Sequence, residues 1–235
     1  MVSRETKDIA ISWAVLSIAF ALALSGFNLL GIIALGFLPN FLTFIIMLPI
    51  SFFVLGTSFI LHELGHRNVA RHFNYHAEFR KWDFGLKLAL GAAALVGAIF
   101  AAPGAVYIGA KKQKKSWEEQ TRWDKEYPEY KKNGMNELGL ISVAGVVINI
   151  SLGLIFLGLF FTVVPSLTNF QFVATLICYL GYSINFFLAG FNLLPFWILD
   201  GKKVMEWNPI VWGILFIPLA YWYFSLRLVM YGWFF

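Results

Sequence analysis

Long apolar stretches separated by short charged clusters make up most of the sequence. An α-helix needs about 20 consecutive apolar residues to cross the hydrocarbon core of a bilayer, and each stretch is at least that long. The pattern predicts an all-α polytopic membrane protein with about five to six membrane segments. The stretches cover residues 9–38, 41–61, 84–110, 138–164, 172–196 and 209–235. Pro39 and Asn40 are predicted to form the turn between the first two.

The composition indicates a single integral membrane domain over residues 1–235. Hydrophobic residues make up 59% of the chain and charged residues only 13%, which excludes an ordinary soluble domain. The net charge of +5 indicates attraction to the inner leaflet and a topology signal rather than nucleic-acid binding. The one cysteine, Cys178, lies in an apolar stretch, and we expect a buried thiol without a disulfide partner.

Basic clusters at the ends of the stretches indicate which ends are cytoplasmic. The second stretch ends in a cluster that contains Arg67, Arg71 and Arg80. Lys202 and Lys203 follow the fifth stretch closely. We therefore predict that both ends face the cytoplasm, in a multi-pass protein of the cell membrane.

The third stretch, residues 84–110, has basic residues at both ends. Lys87 lies near its start, and a run of lysines between residues 111 and 115 follows it, so both ends are predicted to be cytoplasmic. Pro103 and Gly104 interrupt its second half. We expect a re-entrant segment, although a single crossing would satisfy one of the two clusters. Within it, residues 101–109 favour an exposed strand over a kinked helix.

Residues 111–137 form the one substantial polar segment of the chain. The segment mixes basic and acidic side chains with Trp117, Trp123, Tyr127 and Tyr130. Aromatic side chains of this kind are typical of the membrane–water interface. We predict an interfacial insertion that lies on the inner headgroups, and a solvated connector is the alternative.

The sequence His62-Glu63-Leu64-Gly65-His66 lies where the second apolar stretch ends. On an α-helix the two histidines share one face and can bind one metal ion. Glu63 can then reach a metal-bound water without being a ligand itself. An HExxH sequence can occur by chance on a surface helix, but an ionised group at membrane depth costs about 2.5–3.5 kcal/mol and is rarely incidental. The motif predicts a site for one Zn²⁺ per chain.

Asp200 is the best candidate for the third protein ligand that a catalytic zinc site needs. It is the only carboxylate between Leu138 and Gly201. Pro195 and Gly201 permit a helix end and a sharp bend that presents the acid. Asp200 can meet the histidines only if the chain crosses the membrane an even number of times between them. If the third stretch is re-entrant, the fourth and fifth stretches make two crossings, which satisfies this condition. An ordinary Asp-Gly turn at the membrane surface is the alternative.

Taken together, these motifs resemble those of the site-2 protease family of intramembrane zinc metalloproteases, peptidase family M50. The family pattern is HExxH followed by N-x-x-P-x-x-x-L-D-G, and residues 192–201 have every fixed residue of the second motif. Residues 144–149 are similar to the family's AG-P-x-x-N pattern, with Val146 where proline is common. The resemblance covers roughly residues 41–201, which would be the core of the domain.

The resemblance implies a zinc metalloendopeptidase that cuts a membrane protein within or near its transmembrane helix, in regulated intramembrane proteolysis. His62, His66 and Asp200 would bind zinc. Glu63 would act as general base and pass the proton to the leaving amine. The active site would lie near the cytoplasmic side of the bilayer.

The resemblance also implies roles for two asparagines. Asn192 matches the family asparagine that stabilises the oxyanion, and Asn149 would help position the substrate or the metal region. Hydrogen bonding between helices is the alternative role for both residues.

Other functions remain open from the sequence alone. A di-iron desaturase would use His72 and His76 as a second histidine pair, but such enzymes need more than the four histidines of this chain. We expect that pair to be interfacial side chains on a juxtamembrane helix. A Ste24-like protease would use a glutamate as third ligand, and Glu206 lacks the spacing of that family. An inactive metal-binding scaffold or a transporter would have no use for Glu63.

Overall fold

In the computed structural model, α-helices form most of the chain, and a short two-stranded sheet lies among them. The structure describes residues 3–109, 128–196 and 199–232, with the backbone alone for 128–133 and 226–232. The helices are α1 (Arg4–Ser25), α2 (Leu29–Leu35), α3 (Phe37–Leu55), α4 (Leu61–His72), α5 (Asp83–Val96), α6 (Pro128–Thr162), α7 (Gln171–Asn192), α8 (Asp200–Trp207) and α9 (Pro209–Gly232). The strands are β1 (His76–Lys81) and β2 (Gly104–Gly109).

Four helical segments in the described part of the chain are long and apolar enough to cross a membrane. They are Arg4–Leu35, Phe37–His72, Gly134–Ser166 and Gln171–Asn192, and a shorter apolar helix follows at Pro209–Ser225. Large apolar side chains face outward from them, including Ile33 with 73%, Phe161 with 68% and Phe172 with 69% exposure. Such a surface suits lipid rather than water. The predicted fold class, an all-α polytopic membrane protein, is confirmed.

The first apolar stretch, predicted as one helix over residues 9–38, contains two helices. The Ser3 hydroxyl accepts a hydrogen bond of 3.1 Å from the N–H of Thr6 and caps the start of α1. Gly26 ends α1 with a φ of 67°, a left-handed conformation that favours glycine. Asn28 then accepts a hydrogen bond of 2.9 Å from the N–H of Gly31 and caps α2. These caps divide a stretch that its mean hydropathy predicts as one helix.

The turn predicted at Pro39 and Asn40 is wrong. α3 begins at Phe37, so Pro39 lies in the first helical turn, where a backbone N–H has no helical partner to lose. The side-chain Nδ2 of Asn40 donates to the carbonyl oxygens of Gly31 at 2.9 Å and Gly36 at 2.7 Å. Asn40 therefore fastens α3 to α2, and the chain changes direction at Gly36 instead.

A π-helical turn, Gly56–Ile60, joins α3 to α4 and makes Phe37–His72 one continuous segment. The hydroxyls of Thr57 and Ser58 both donate to the carbonyl oxygen of Val54, at 2.9 and 2.7 Å. A π turn holds more residues than an α turn and therefore changes which face of the following helix points inward. The HExxH sequence begins at His62, two residues after the last residue of this turn.

β1 and β2 pair antiparallel, from His76 opposite Gly109 to Lys81 opposite Gly104. α5 lies between them and has 14 residues, so it is about 21 Å long and too short to cross a hydrocarbon core of about 30 Å. Because the strands on either side of α5 are paired, the chain returns to the side from which it left. This is the geometry of a re-entrant segment, and β2 falls within the residues where the sequence favours a strand.

The juxtamembrane helix predicted to carry both His72 and His76 is wrong. α4 ends at His72, and Asn74 has a φ of 65°, which interrupts the helix. His76 then begins β1. The strand forms because its backbone pairs with β2. Since β2 lies far along the sequence, the residues of β1 alone do not indicate this pairing.

The predicted interfacial insertion, residues 111–137, lies mostly outside the described residues. Its last part is helical, because α6 begins at Pro128 rather than near Leu138. With 35 residues, α6 is about 50 Å long, which exceeds the thickness of the hydrocarbon core. Its first turns therefore extend past the apolar segment.

α7 is the central helix of the core. One apolar cluster joins it to α1, α3 and β1, through side chains such as Leu180 and Leu188. A second cluster joins it to α6 and α9, through Phe186 and Ala189. Cys178 is a buried free thiol in the second cluster, as expected. The end of α7 that leads to α8 is therefore held from two sides.

Candidate metal centre

His62, His66 and Asp200 come together where α8 begins beside α4. The two histidines are buried and lie one turn apart on α4. Their Nε2 atoms are 3.0 Å apart, and Oδ2 of Asp200 is 3.6 Å from Nε2 of His62 and 3.0 Å from Nε2 of His66. One atom from each side chain can therefore bind the same ion. Within the described residues, His72 and His76 belong to no such group.

A backbone contact selects the ring nitrogen that His66 offers. Its Nδ1 atom lies 2.7 Å from the carbonyl oxygen of Ile141 in α6. A carbonyl oxygen only accepts hydrogen bonds, so Nδ1 carries a proton and Nε2 is left as the ligand atom. Two imidazole nitrogens and one carboxylate oxygen around one point form a donor set that suits a catalytic zinc ion with an open fourth position. The residues present therefore fit zinc.

Asp200 reaches the histidines because α8 begins against the end of α7. Asp200 is the first residue of α8 and follows Leu199, whose backbone is extended. A Cβ atom at Gly201 would lie 2.0 Å from the carbonyl oxygen of Leu193, so glycine is required for this approach. The same oxygen accepts a hydrogen bond of 2.7 Å from the indole N–H of Trp212 in α9. Contacts among α7, α8 and α9 thus position the acid.

α6 lies directly against the two imidazole rings at Gly145. A Cβ atom there would be 2.5 Å from Nε2 of His66 and 2.8 Å from two ring atoms of His62. Any side chain would occupy the space of the ligand atoms. Gly145 is the glycine of the stretch that resembles the AG-P-x-x-N pattern, but the sequence alone assigns it no role. The available signal is a glycine inside a spanning helix, which weakens the helix by about 0.5–1 kcal/mol relative to alanine.

A cavity of about 60 Å³ adjoins the three candidate ligands. Glu63, Asn149, Asn192 and Lys203 line it, together with residues of β2 and of the segment just before it. One buried water needs roughly 10–15 Å³, so the cavity has room for several water molecules. Glu63 is only 8% exposed and is not one of the three candidate ligands. A base that acts on a metal-bound water has to lie beside the ligands without being one of them.

The two asparagines use their side-chain amides differently. Asn149 in α6 is fully buried, and among the described residues neither its Oδ1 nor its Nδ2 atom has a hydrogen-bond partner. An unpaired buried polar group costs about 1–3 kcal/mol, so Asn149 is suited to bind a polar group in the cavity. Asn192 donates one N–H to the carbonyl oxygen of Leu188 at 3.0 Å. Its amide has a second N–H to offer.

Asp200 has a different partner for each of its two oxygens. Burial alone would raise the pKa of its carboxyl, but attraction to His66 and hydrogen bonds with both imidazoles hold that pKa well below its ordinary value. Oδ2 faces the histidines, whereas Oδ1 lies 3.7 Å from Nζ of Lys203. From the sequence alone, Lys203 serves only as a topology signal. Its spacing of three residues from Asp200 on one helix is the signal for this contact.

Comparisons with known proteins identify the family to which the chain is similar. The model of peptidase family M50 matches residues 50–178, which include both histidines and Glu63. A protein of Methanocaldococcus jannaschii, named "Putative zinc metalloprotease MJ0611", is 36% identical over 216 residues, which make up 92% of this chain and 91% of that protein. No solved structure matches the chain.

Proposed function

The chain belongs to peptidase family M50, the family of the site-2 proteases, and we propose that it is a zinc metalloendopeptidase that acts on membrane proteins. It would hydrolyse a peptide bond within or near a transmembrane segment of its substrate, in regulated intramembrane proteolysis. The observation that carries this proposal is the convergence of His62, His66 and Asp200 beside the buried Glu63, in a cavity among apolar helices. Residues 1–235 would form one membrane domain.

One zinc ion per chain would be held by Nε2 of His62, Nε2 of His66 and an oxygen of Asp200. When bound, zinc supplies a Lewis acid that polarises the peptide carbonyl and acidifies a water molecule. The chain orients the ligand atoms around that position. The carbonyl of Ile141 holds the His66 ring, and Gly145 leaves space for both rings.

Glu63 would act first as general base and then as general acid. It follows His62 directly on α4, so its carboxylate lies beside the face that carries the ligands. In the cavity it would take a proton from the attacking water. After the C–N bond breaks, it would pass that proton to the leaving amine.

Asn192 and Asn149 would hold the reacting peptide group. The second N–H of Asn192 can donate to the carbonyl oxygen that becomes negative as water adds. Asn149 offers both a donor and an acceptor, the complement of a peptide group. Its lack of a partner among the described residues supports substrate binding over a hydrogen bond between helices.

The edge of β2 is the proposed binding site for the substrate backbone. The outer edge of β1 is occupied by side chains, because Arg71 donates to the carbonyl of Ala77 at 2.8 Å and the N–H of Phe79 donates to Glu5 at 3.2 Å. In the described part of the chain, no strand pairs with the other edge of β2, and β2 lines the cavity. An extended peptide could add there as a further strand.

A helical substrate would have to unwind before it binds in this way, since the carbonyls of a helix are already hydrogen-bonded. The site would lie near the cytoplasmic side of the cell membrane. Arg67 and Arg71 lie in the last turns of the segment that carries the histidines and Arg80 follows it, and positive charge marks that side.

The test separates catalysis from metal binding. The purified protein would be incubated in liposomes with a panel of single-span membrane proteins, and the products would be identified by mass spectrometry. The wild type should cleave and contain about one zinc per chain. Glu63→Gln removes the base at nearly constant volume, so cleavage should fall by about 100-fold or more while zinc content stays the same. Glu206→Gln, an exposed carboxylate on α8, should change neither.

Other outcomes would point to other functions. Near-normal cleavage by Glu63→Gln would contradict the proposed base. Two equivalents of iron and no zinc would indicate an oxygenase. Bound zinc without cleavage of any membrane protein by the wild type would favour an inactive scaffold.

A further inference from the structure

We infer that Lys203 is a positioning residue: its ammonium group holds Oδ1 of Asp200 so that Oδ2 alone is presented to the metal. The inference rests on the proposed zinc site. It adds a residue that lies outside both the HExxH sequence and residues 192–201.

Each oxygen of the Asp200 carboxylate has its own partner. Oδ2 lies 3.0 Å from Nε2 of His66, and Oδ1 lies 3.7 Å from Nζ of Lys203. The terminal torsion of an aspartate is broad, so the carboxyl group can otherwise rotate. Partners on both oxygens restrict that rotation. A carboxylate held in this way binds through one oxygen and leaves an open position for the reactant.

The geometry of α8 sets the spacing between Asp200 and Lys203. Asp200 and Lys203 are three residues apart and therefore adjacent on the helix surface. Gly201 packs against the backbone of Leu193, and Val204 is fully buried. These two contacts hold α8 against its neighbours, so Asp200 and Lys203 keep neighbouring positions on the helix surface.

The pair is more than an exposed ion pair, which usually contributes little. The side chain of Asp200 is only 14% exposed, whereas that of Lys203 is 51% exposed. Lys203 thus keeps its charge partly hydrated at the cavity wall while its partner is shielded from water. Removal of the lysine would leave a largely buried oxygen without its cation.

Lys202 provides a matched comparison. It is exposed on the same helix and carries the same charge. Among the described residues, the ion pairs of Asp200 involve His62, His66 and Lys203 but not Lys202. A general loss of positive charge near the site would therefore affect both lysine variants, whereas loss of positioning would affect one.

The experiment measures zinc affinity of the full-length protein in detergent by competition with a chelator. Lys203→Gln should bind zinc about tenfold more weakly than the wild type, at the lower end of the usual effect of a residue that orients a ligand. Lys203→Arg keeps the cation and should restore affinity to within about threefold of the wild type. Lys202→Gln should match the wild type. Thermal unfolding of the metal-free proteins checks that each variant is folded.

Each result decides between the hypotheses. Wild-type zinc affinity in folded Lys203→Gln would overturn the positioning role and leave the proposed function intact. A raised KM with unchanged zinc affinity would also overturn it, because Lys203 would then contact the substrate instead. Absence of zinc binding by the wild type would overturn both this inference and the proposed function.

Discussion

The candidate metal centre has two halves that are built in different ways. His62, Glu63 and His66 occupy about one turn of α4, so helix geometry alone places the two imidazoles side by side. Asp200 lies in a different helix far along the chain. It reaches the histidines only because α8 packs against the end of α7, where Leu193 contacts Gly201.

This contrast indicates where the site is fragile. The half on α4 depends on its own helix and on the single clearance that Gly145 of α6 leaves for both rings. The half on α8 depends on a few close contacts between helix ends, and a displacement of about 1 Å in such a site can cost on the order of 100-fold in rate. Substitutions of small residues at these contacts should therefore disturb the site as much as changes to residues inside the cavity.

Among substitutions at the helix contacts, the largest effect is expected for Gly145→Ala, which tests whether the half on α4 needs the space that a neighbouring helix leaves. The added Cβ would lie 2.5 Å from Nε2 of His66, so the ring or α6 must move. Zinc affinity and cleavage should both fall on the order of 100-fold. Gly158→Ala on the same helix should change neither, since nothing lies within 4 Å of its added Cβ. Normal zinc affinity in Gly145→Ala would show that helix geometry alone is sufficient.

A smaller effect is expected for Gly201→Ala, which disturbs only the half on α8. The added Cβ would lie 2.0 Å from the carbonyl oxygen of Leu193, and the backbone beside Asp200 must shift. Chelator competition should show zinc binding weakened by about 10–100-fold. Gly213→Ala in α9 is the control, because its Cβ would meet Ile217 at an ordinary distance of 3.8 Å. Equal zinc affinity in the two variants would argue against the close contact.

The smallest effect is expected for Trp212→Phe, which removes one hydrogen bond from the same junction. The indole donates to the carbonyl of Leu193 at 2.7 Å, and phenylalanine keeps a ring that can stack on Phe216. A loss of about 1 kcal/mol corresponds to roughly fivefold weaker zinc binding.

Trp13→Phe is the matched control for this prediction. It removes a similar bond, from the Trp13 indole to the carbonyl of Phe52 at 2.9 Å, between α1 and α3. Both variants should lose some stability, but only Trp212→Phe should lose zinc affinity. Equal losses of zinc affinity would mean that general destabilisation, rather than the junction, controls the metal site.

The membrane-spanning helices could be predicted because a backbone in lipid must satisfy its own hydrogen bonds, and long apolar runs therefore form helices. The predictions failed where single residues determine where a helix begins or ends. Gly26 and Asn28 break a run that hydropathy treats as uniform, and Pro39 is accommodated in a first helical turn. β1 could not be predicted, since its hydrogen bonds go to a strand that lies far along the sequence.

For the candidate site, the sequence by itself determined the α4 half, because the spacing of His62 and His66 corresponds to one helical turn. It also nominated Asp200, an isolated carboxylate in a long apolar region. Only the tertiary structure decided the clearance at Gly145, the carbonyl that orients His66 and the contact between Lys203 and Asp200. The first set depends on spacing along one helix. The second set depends on distances between side chains and backbone atoms that packing alone brings together.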